Sequence, residues 1–163
     1  MRNLTTTICL TLALLLGSAG VSWSADFQKG ITAYKSKDYK TALREWKPLA
    51  EQGDADAQRN LGLIYVLGQG VIQDYDEAAK WYSKAAEQGD PVAQYNLGLM
   101  YVRGQGVIQD LVYAHMWFNI AASTGLAEAV KDRGVAAKRM TSADISKAQE
   151  LARECVRKNY KGC

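Results

Sequence analysis

Residues 50–74 read AEQGDADAQRNLGLIYVLGQGVIQD, and residues 86–110 read AEQGDPVAQYNLGLMYVRGQGVIQD. The two strings are one pattern repeated at an offset of 36 residues, with Glu87 standing for Glu51. The register holds further along: Ala78, Trp81 and Ala85-Ala86 recur as Ala114, Trp117 and Ala121-Ala122. Repetition at this period marks a stack of supersecondary units, none of which can bury its apolar face alone. Within a unit, Ala57, Leu61, Ile64 and Tyr65 fall at helical spacing after the Gly53 stop, and Asp54 stands where a cap is needed. Gly68 and Gly70 end that helix. Asp74 opens a second one, with Ala78, Trp81, Tyr82 and Ala85 on one face and Gly89 at its close. The spacing predicts an all-α fold of antiparallel helix pairs, with alanine and glycine letting neighbours approach closely. Val71-Ile72 has the only strand character. It is too short for a sheet and is expected to tuck under the connector as an apolar plug.

Outward from the repeats the pattern degenerates, as terminal units of such arrays do. The chain divides into an opening pair over 26–52, repeats over about 54–89 and 90–125, and a closing pair over 126–163. The opening pair runs from Phe27 to Ser36 and from Tyr39 to Gln52, with a shorter connector around Lys37-Asp38. The closing pair spans Leu126 to Arg139 and Ser142 to Asn159. Ile145, Ala148, Ala152, Cys155 and Val156 are its expected buried stripe, and Thr141 with Asp144 can form a capping box.

The first residues read differently. Met1-Arg2-Asn3 sets one positive charge before the apolar run Ile8 to Leu16, and small residues follow to Ser24. That is the build of a secretory leader over 1–24, cleaved after Ser24, and it is shorter than the roughly 20 apolar residues a membrane span needs. Loss of Arg2 would lower the net charge from +3 to +2. So mild a balance argues against nucleic acid as a partner. The charge is uneven, since Lys131 to Cys163 is rich in lysine and arginine and carries only Asp132, Asp144, Glu150 and Glu154 against them.

Catalytic patterns are missing. The single histidine, His115, aligns with Ala79 of the preceding copy, has no second ligand or nucleophile at a usable spacing, and reads as a partly exposed helix residue. Neither the zinc-protease His-Glu-x-x-His nor a Cys-x-x-Cys occurs, and no serine has lysine three residues on. Gly68-Gln69-Gly70 and its copy lack the lysine and preceding strand of a phosphate loop, so the glycines read as positive-φ turn positions. No cofactor and no metal site is expected.

The strings at 50–74, AAKWYSKAAEQGD at 78–90 and AHMWFNIAA at 114–122 resemble the Sel1-like repeat family, a branch of the tetratricopeptide-type helical repeats. The flanks FQKGITAYKSKDYKTALREWKPLAEQGD and MTSADISKAQELARECV resemble segments that border such arrays in exported bacterial members. The resemblance implies a right-handed α/α superhelix and a scaffold for binding, with roles in complex assembly, the envelope, secretion or host contact. Fold alone does not choose among these. A cysteine-rich minority of the family is linked to binding or hydrolysing β-lactams. Those members carry a cysteine pair in each repeat, which this chain does not.

Without Cys9, two cysteines remain, Cys155 and Cys163. An even pair in an exported chain favours a disulfide. Eight residues of straight helix would part them by about 12 Å, against the roughly 7 Å a bridge tolerates. The helix must therefore stop near Asn159-Tyr160, with Gly162 allowing the return.

Positions identical in both copies are ascribed to packing, and positions that differ within the fixed frame are free for recognition. The differing pairs are Arg59/Tyr95, Ile64/Met100, Leu67/Arg103 and Asp56/Val92 in the first helices, and Asp76/Val112, Ala79/His115 and Lys80/Met116 in the second. First helices line the concave face in this family. Arg59, Tyr95, Arg103, Asp56 and Met100 are therefore the candidate partner-binding residues, tyrosine and arginine being the types that dominate interface energetics. The leading expectation is a non-catalytic protein–protein interaction module, periplasmic or secreted, with unknown protein partners. The alternatives are a binder of peptidoglycan or another anionic envelope polymer through the basic C-terminal end, and a weak β-lactam-binding hydrolase.

Overall fold

A computed structural model describes residues 25–163; the leader reading of residues 1–24 lies outside them. The described residues form eight helices: α1 (Phe27–Lys35), α2 (Tyr39–Glu51), α3 (Ala55–Leu67), α4 (Tyr75–Ala86), α5 (Pro91–Arg103), α6 (Leu111–Ala122), α7 (Ala127–Ala137) and α8 (Ser142–Arg157). Among them there is no strand. From α1 to α7 each helix packs on the next, which builds an α-solenoid.

Local chemistry sets the helix limits. Asp26, Asp38, Asp54, Asp74, Asp90 and Asp110 each accept a backbone N–H of the first turn, which satisfies a donor that has no partner inside its helix. Thr141 and Asp144 form the capping box at the start of α8. Gly68 and Gly104 end α3 and α5 in the left-handed conformation, at φ 64° and 66°. Behind them Gln73 and Gln109 donate to the carbonyls of Val66 and Val102, at 2.6 and 2.7 Å, so the GQGVIQD loop is closed from both ends.

Repeats join through matched contacts. Gln58 and Gln94 are buried, and each donates its amide to the last turn of the preceding second helix, at Ala50 and Ala86. Within each pair a helical glycine receives an aromatic ring. A Cβ on Gly62 would lie 2.7 Å from the Tyr82 ring, and one on Gly98 would lie 2.5 Å from Phe118. Gly30 faces Trp46 in the same way. Trp46, Tyr82 and Phe118 are 36 residues apart, so the opening pair is a third copy of the unit with a shorter connector.

Four expectations are corrected here. Val71 packs into the core as the plug, but Ile72 is 90 % exposed and its copy Ile108 is 89 % exposed. Val156 is exposed, and Leu151 takes its place on the buried side of α8. The closing helices do not pair: α8 lies along α6 and makes no comparable contact with α7. His115 is buried, only 3 % exposed, because α6 is covered by α5, α7 and α8 together.

The seat of α8 explains much of the divergence between the repeats. On α4 the outward stripe is Glu77, Lys80 and Lys84; at the same positions α6 carries Tyr113, Met116 and Ile120. Three polar residues at helical spacing have become three apolar ones, and α8 rests on them through Leu151, Ala152 and Cys155. The chain then leaves the helix. Asn159 and Tyr160 adopt positive φ, 52° and 65°, Gly162 completes the return, and Cys155 and Cys163 are joined by a disulfide with Cα atoms 5.4 Å apart. Tyr160 lies over Gly89, 3.1 Å from where a Cβ would stand.

Candidate functional site

The first helices α3, α5 and α7 carry a continuous row of polar contacts. Arg59 on α3 reaches Asp56 at 2.7 Å and Asp90, the cap of α5, at 2.6 Å. Asp90 serves twice, since its other oxygen accepts from Ala93 N–H. One unit along, Tyr95 replaces Arg59 and donates its hydroxyl to Asp132 on α7 at 2.8 Å. Arg59 and Tyr95 therefore do the same work by different chemistry, each tying a first helix to the next. Partial burial, with Asp132 as acceptor, pushes the Tyr95 phenol up to about 12. A phenolate would lose its donor hydrogen and face a carboxylate.

Of the candidates, Asp56 and Arg59 come together at one end of this row, and Tyr95 and Arg103 lie at the other, where Asp132 joins them. Arg103 borders a groove of about 180 Å³ between α5 and α7 with Asp132 and Arg139, and Phe118 and Val135 supply apolar walls. Met100 does not belong to this surface. It is 3 % exposed within the core beside Leu97 and Met116, so its difference from Ile64 is a repacking of the interior. Met116 and His115 are likewise buried; the change from exposed Lys80 to Met116 follows from the cover over α6, while Ala79 is buried as His115 is, so that difference lies within the interior. Burial first, and Arg133 second, hold the His115 imidazole below its ordinary pKa range. Its Nδ1 has no partner among the described residues.

Two surface features escaped the sequence reasoning. Ile72 and Ile108 are identical in the two copies yet almost wholly exposed, so identity between repeats does not always report packing. A larger cleft, about 500 Å³, opens between α6 and α8 on a face built by α8's departure from its expected pairing. Its sequence signal was the polar-to-apolar change at Ile120, which forms its floor. Among the described residues no cluster of three or more His, Cys, Asp or Glu is placed to hold a metal ion.

A Sel1 repeat model matches residues 55–90 and 91–126. The chain is a Sel1-repeat protein. The matched segments coincide with the units α3–α4 and α5–α6 and with the turn after each. Among solved structures the Sel1-repeat chain is similar to c5321, a protective antigen present in uropathogenic Escherichia coli strains displaying an SLR fold. The TM-score is 0.75 at 30 % identity, over 80 % of this chain and 30 % of that one. It is also similar to a Sel1 repeat protein from Oxalobacter formigenes, with a TM-score of 0.65 at 37 % identity, over 68 % of this chain and 45 % of that one. The chain thus spans less than half the length of either structure. Comparison with curated proteins gives no match. Sel1-repeat helical proteins typically mediate protein–protein interaction.

Proposed function

We propose that this chain is a non-catalytic protein–protein interaction module, exported by the leader at residues 1–24 and working in the bacterial envelope or outside the cell. The observation that carries the reading is the pair of Sel1 repeats at 55–126, held in one rigid stack by inter-repeat bonds from Gln58, Gln94, Arg59 and Tyr95. A stack of this kind presents side chains at fixed positions, which limits the ordering cost of binding. The Cys155–Cys163 bridge is compatible with an oxidising compartment. The partner surface is assigned to the first-helix row, with Asp56, Arg59, Tyr95 and Arg103 as contact residues.

Two measurements test this. Fractionation of cells producing the full chain, with intact mass, should find a product beginning at Ala25 outside the cytoplasm; a cytoplasmic product retaining residues 1–24 would overturn the export claim. A photo-crosslinking residue placed at Asp56 or Arg103 should trap one discrete protein species, while the same residue at Lys161 traps none. Equal, diffuse labelling from all three positions counts against the assigned face.

A further inference from the structure

The cleft between α6 and α8 has a composition that the first-helix row lacks. Ile120 and Ala152 lie at its base, almost wholly covered at 2 % and 3 % exposed, and Val156 is the apolar side chain open to solvent, 45 % exposed. Arg153 and Arg157 line the same cleft and form no ion pair among the described residues. The neighbouring carboxylate Glu154 is taken by Lys158 at 2.6 Å. Glu150 is the one acidic group lining the cleft. A third guanidinium, Arg133, stands behind it, bonded to the Asn119 amide oxygen at 2.7 Å. Two arginines against one glutamate leave the cleft lining net positive.

The spacing narrows the occupant. Arg153 and Arg157 are one turn apart on a single helix, about 6 Å along its axis. Carboxylates four residues apart on a facing helix have the same separation, and such a helix places an aliphatic side chain between them. The volume suits a few anchoring side chains and not a whole domain.

We infer that the α6–α8 cleft is a docking groove for an acidic amphipathic helix of a partner protein, whose carboxylates pair with Arg153 and Arg157 while its aliphatic face packs on Val156 and the apolar stems of the two arginines. This rests on reading the chain as an interaction module, and it adds a second surface to the first-helix row. Binding there is the helix-in-groove mode, with complementary charge setting orientation.

The test uses a 14-residue acetylated, amidated peptide of Glu and Leu in helical register, and its Lys-for-Glu counterpart, titrated into isotopically labelled protein. The Glu peptide should shift the amides of Ile120, Ala152 and Val156, and the Lys peptide should bind at least about tenfold more weakly. Arg153→Glu with Arg157→Glu should cost the Glu peptide about tenfold and reverse the preference between peptides, while the uncharged Val156→Ser weakens both without changing it. Both variants alter exposed positions, and an unchanged helical spectrum confirms their fold. Equal binding of the two peptides, shifts confined to α3 and α5, or no shift at millimolar peptide would overturn the inference. So would displacement of no peptide but saturable binding of soluble peptidoglycan fragments at the same amides. If crosslinking from Asp56 captures a protein while the cleft stays silent, the inference fails alone and the interaction module stands.

Discussion

Adding the same methyl group to two helical glycines tests the packing argument most directly. At Gly98 a Cβ would stand 2.5 and 2.6 Å from two carbons of the Phe118 ring. That ring is buried and also packs against Tyr95 of the same helix as Gly98, centroid to centroid 5.6 Å. At Gly134, inside α7, a Cβ meets nothing within 4 Å. Alanine gains about 1 kcal/mol over glycine in a helix interior at either site. Forcing an extra methyl into a filled core costs about 1–3 kcal/mol. Gly134→Ala is therefore expected to stabilise by about 1 kcal/mol and Gly98→Ala to destabilise by about the same. The gap of about 2 kcal/mol isolates the ring contact. Urea unfolding followed by far-ultraviolet circular dichroism reads it as a displaced midpoint at constant slope. In thermal unfolding it should appear as roughly 6–10 °C between the variants. If Gly98→Ala proves as stable as Gly134→Ala, the close helix–ring approach is not what sets the repeat geometry.

Other expectations follow from single contacts. Asp54 and Asp90 are equivalent caps, but only Asp90 also binds Arg59. Asp54→Ala should cost about 1 kcal/mol and Asp90→Ala about 2 kcal/mol; equal midpoint shifts in urea would remove the inter-repeat ion pair from the account. Cys163→Ser opens a loop spanning eight residues of separation. Chain entropy then sets a loss of roughly 2 kcal/mol, and a variant as stable as the parent would show the clip to be idle. The raised phenol pKa of Tyr95 fixes the alkaline behaviour. A folded pKa of about 12 against an unfolded value near 10 means this contribution is whole below pH 10 and is lost as pH rises toward 12. Tyr95→Phe should make the alkaline fall shallower in denaturant titrations at pH 9 to 12, with the buried Tyr82 supplying the remainder. An unchanged pH profile would contradict it.

The helix order was legible because its determinants are local. Aspartate caps, left-handed glycines and the 36-residue register each act within one turn or one connector, and they survive in both copies. The placement of α8 was not read, although its signal was present. Glu77, Lys80 and Lys84 becoming Tyr113, Met116 and Ile120 announces an apolar seat, but a difference between copies was assigned to an outside partner and not to another helix of the same chain. Met100 and His115 differ from their copies inside the core, since Ile64 and Ala79 are buried too, and spacing does not separate such a change from one on the surface. Periodicity says which side of a helix is apolar, and cannot say how many neighbours will cover it. Ile72 and Ile108 show the converse, because two copies of one residue can be held for a reason other than the core. The first-helix row was half legible: Arg59 and Tyr95 stood out as residue types, while their ties to Asp90 and Asp132 depend on distances between units that spacing does not encode.

The crossing of α8 over α6 alters how the molecule comes apart. In a plain solenoid each unit is held only by its neighbours, so either end can fray on its own. Here α8 reaches back past α7, and Tyr160 carries the chain on to the Gly89 turn between α4 and α5. The C-terminal half thus behaves as one cooperative block in which α8 cannot detach without uncovering Met116 and Ile120. The opening pair α1–α2 meets the rest at α2 on α3, with the Gly70-Val71 turn and Trp81 completing the same small core. Native-state hydrogen exchange should therefore release α1 and α2 at lower free energy than α6 or α8, the helices that the crossing locks together.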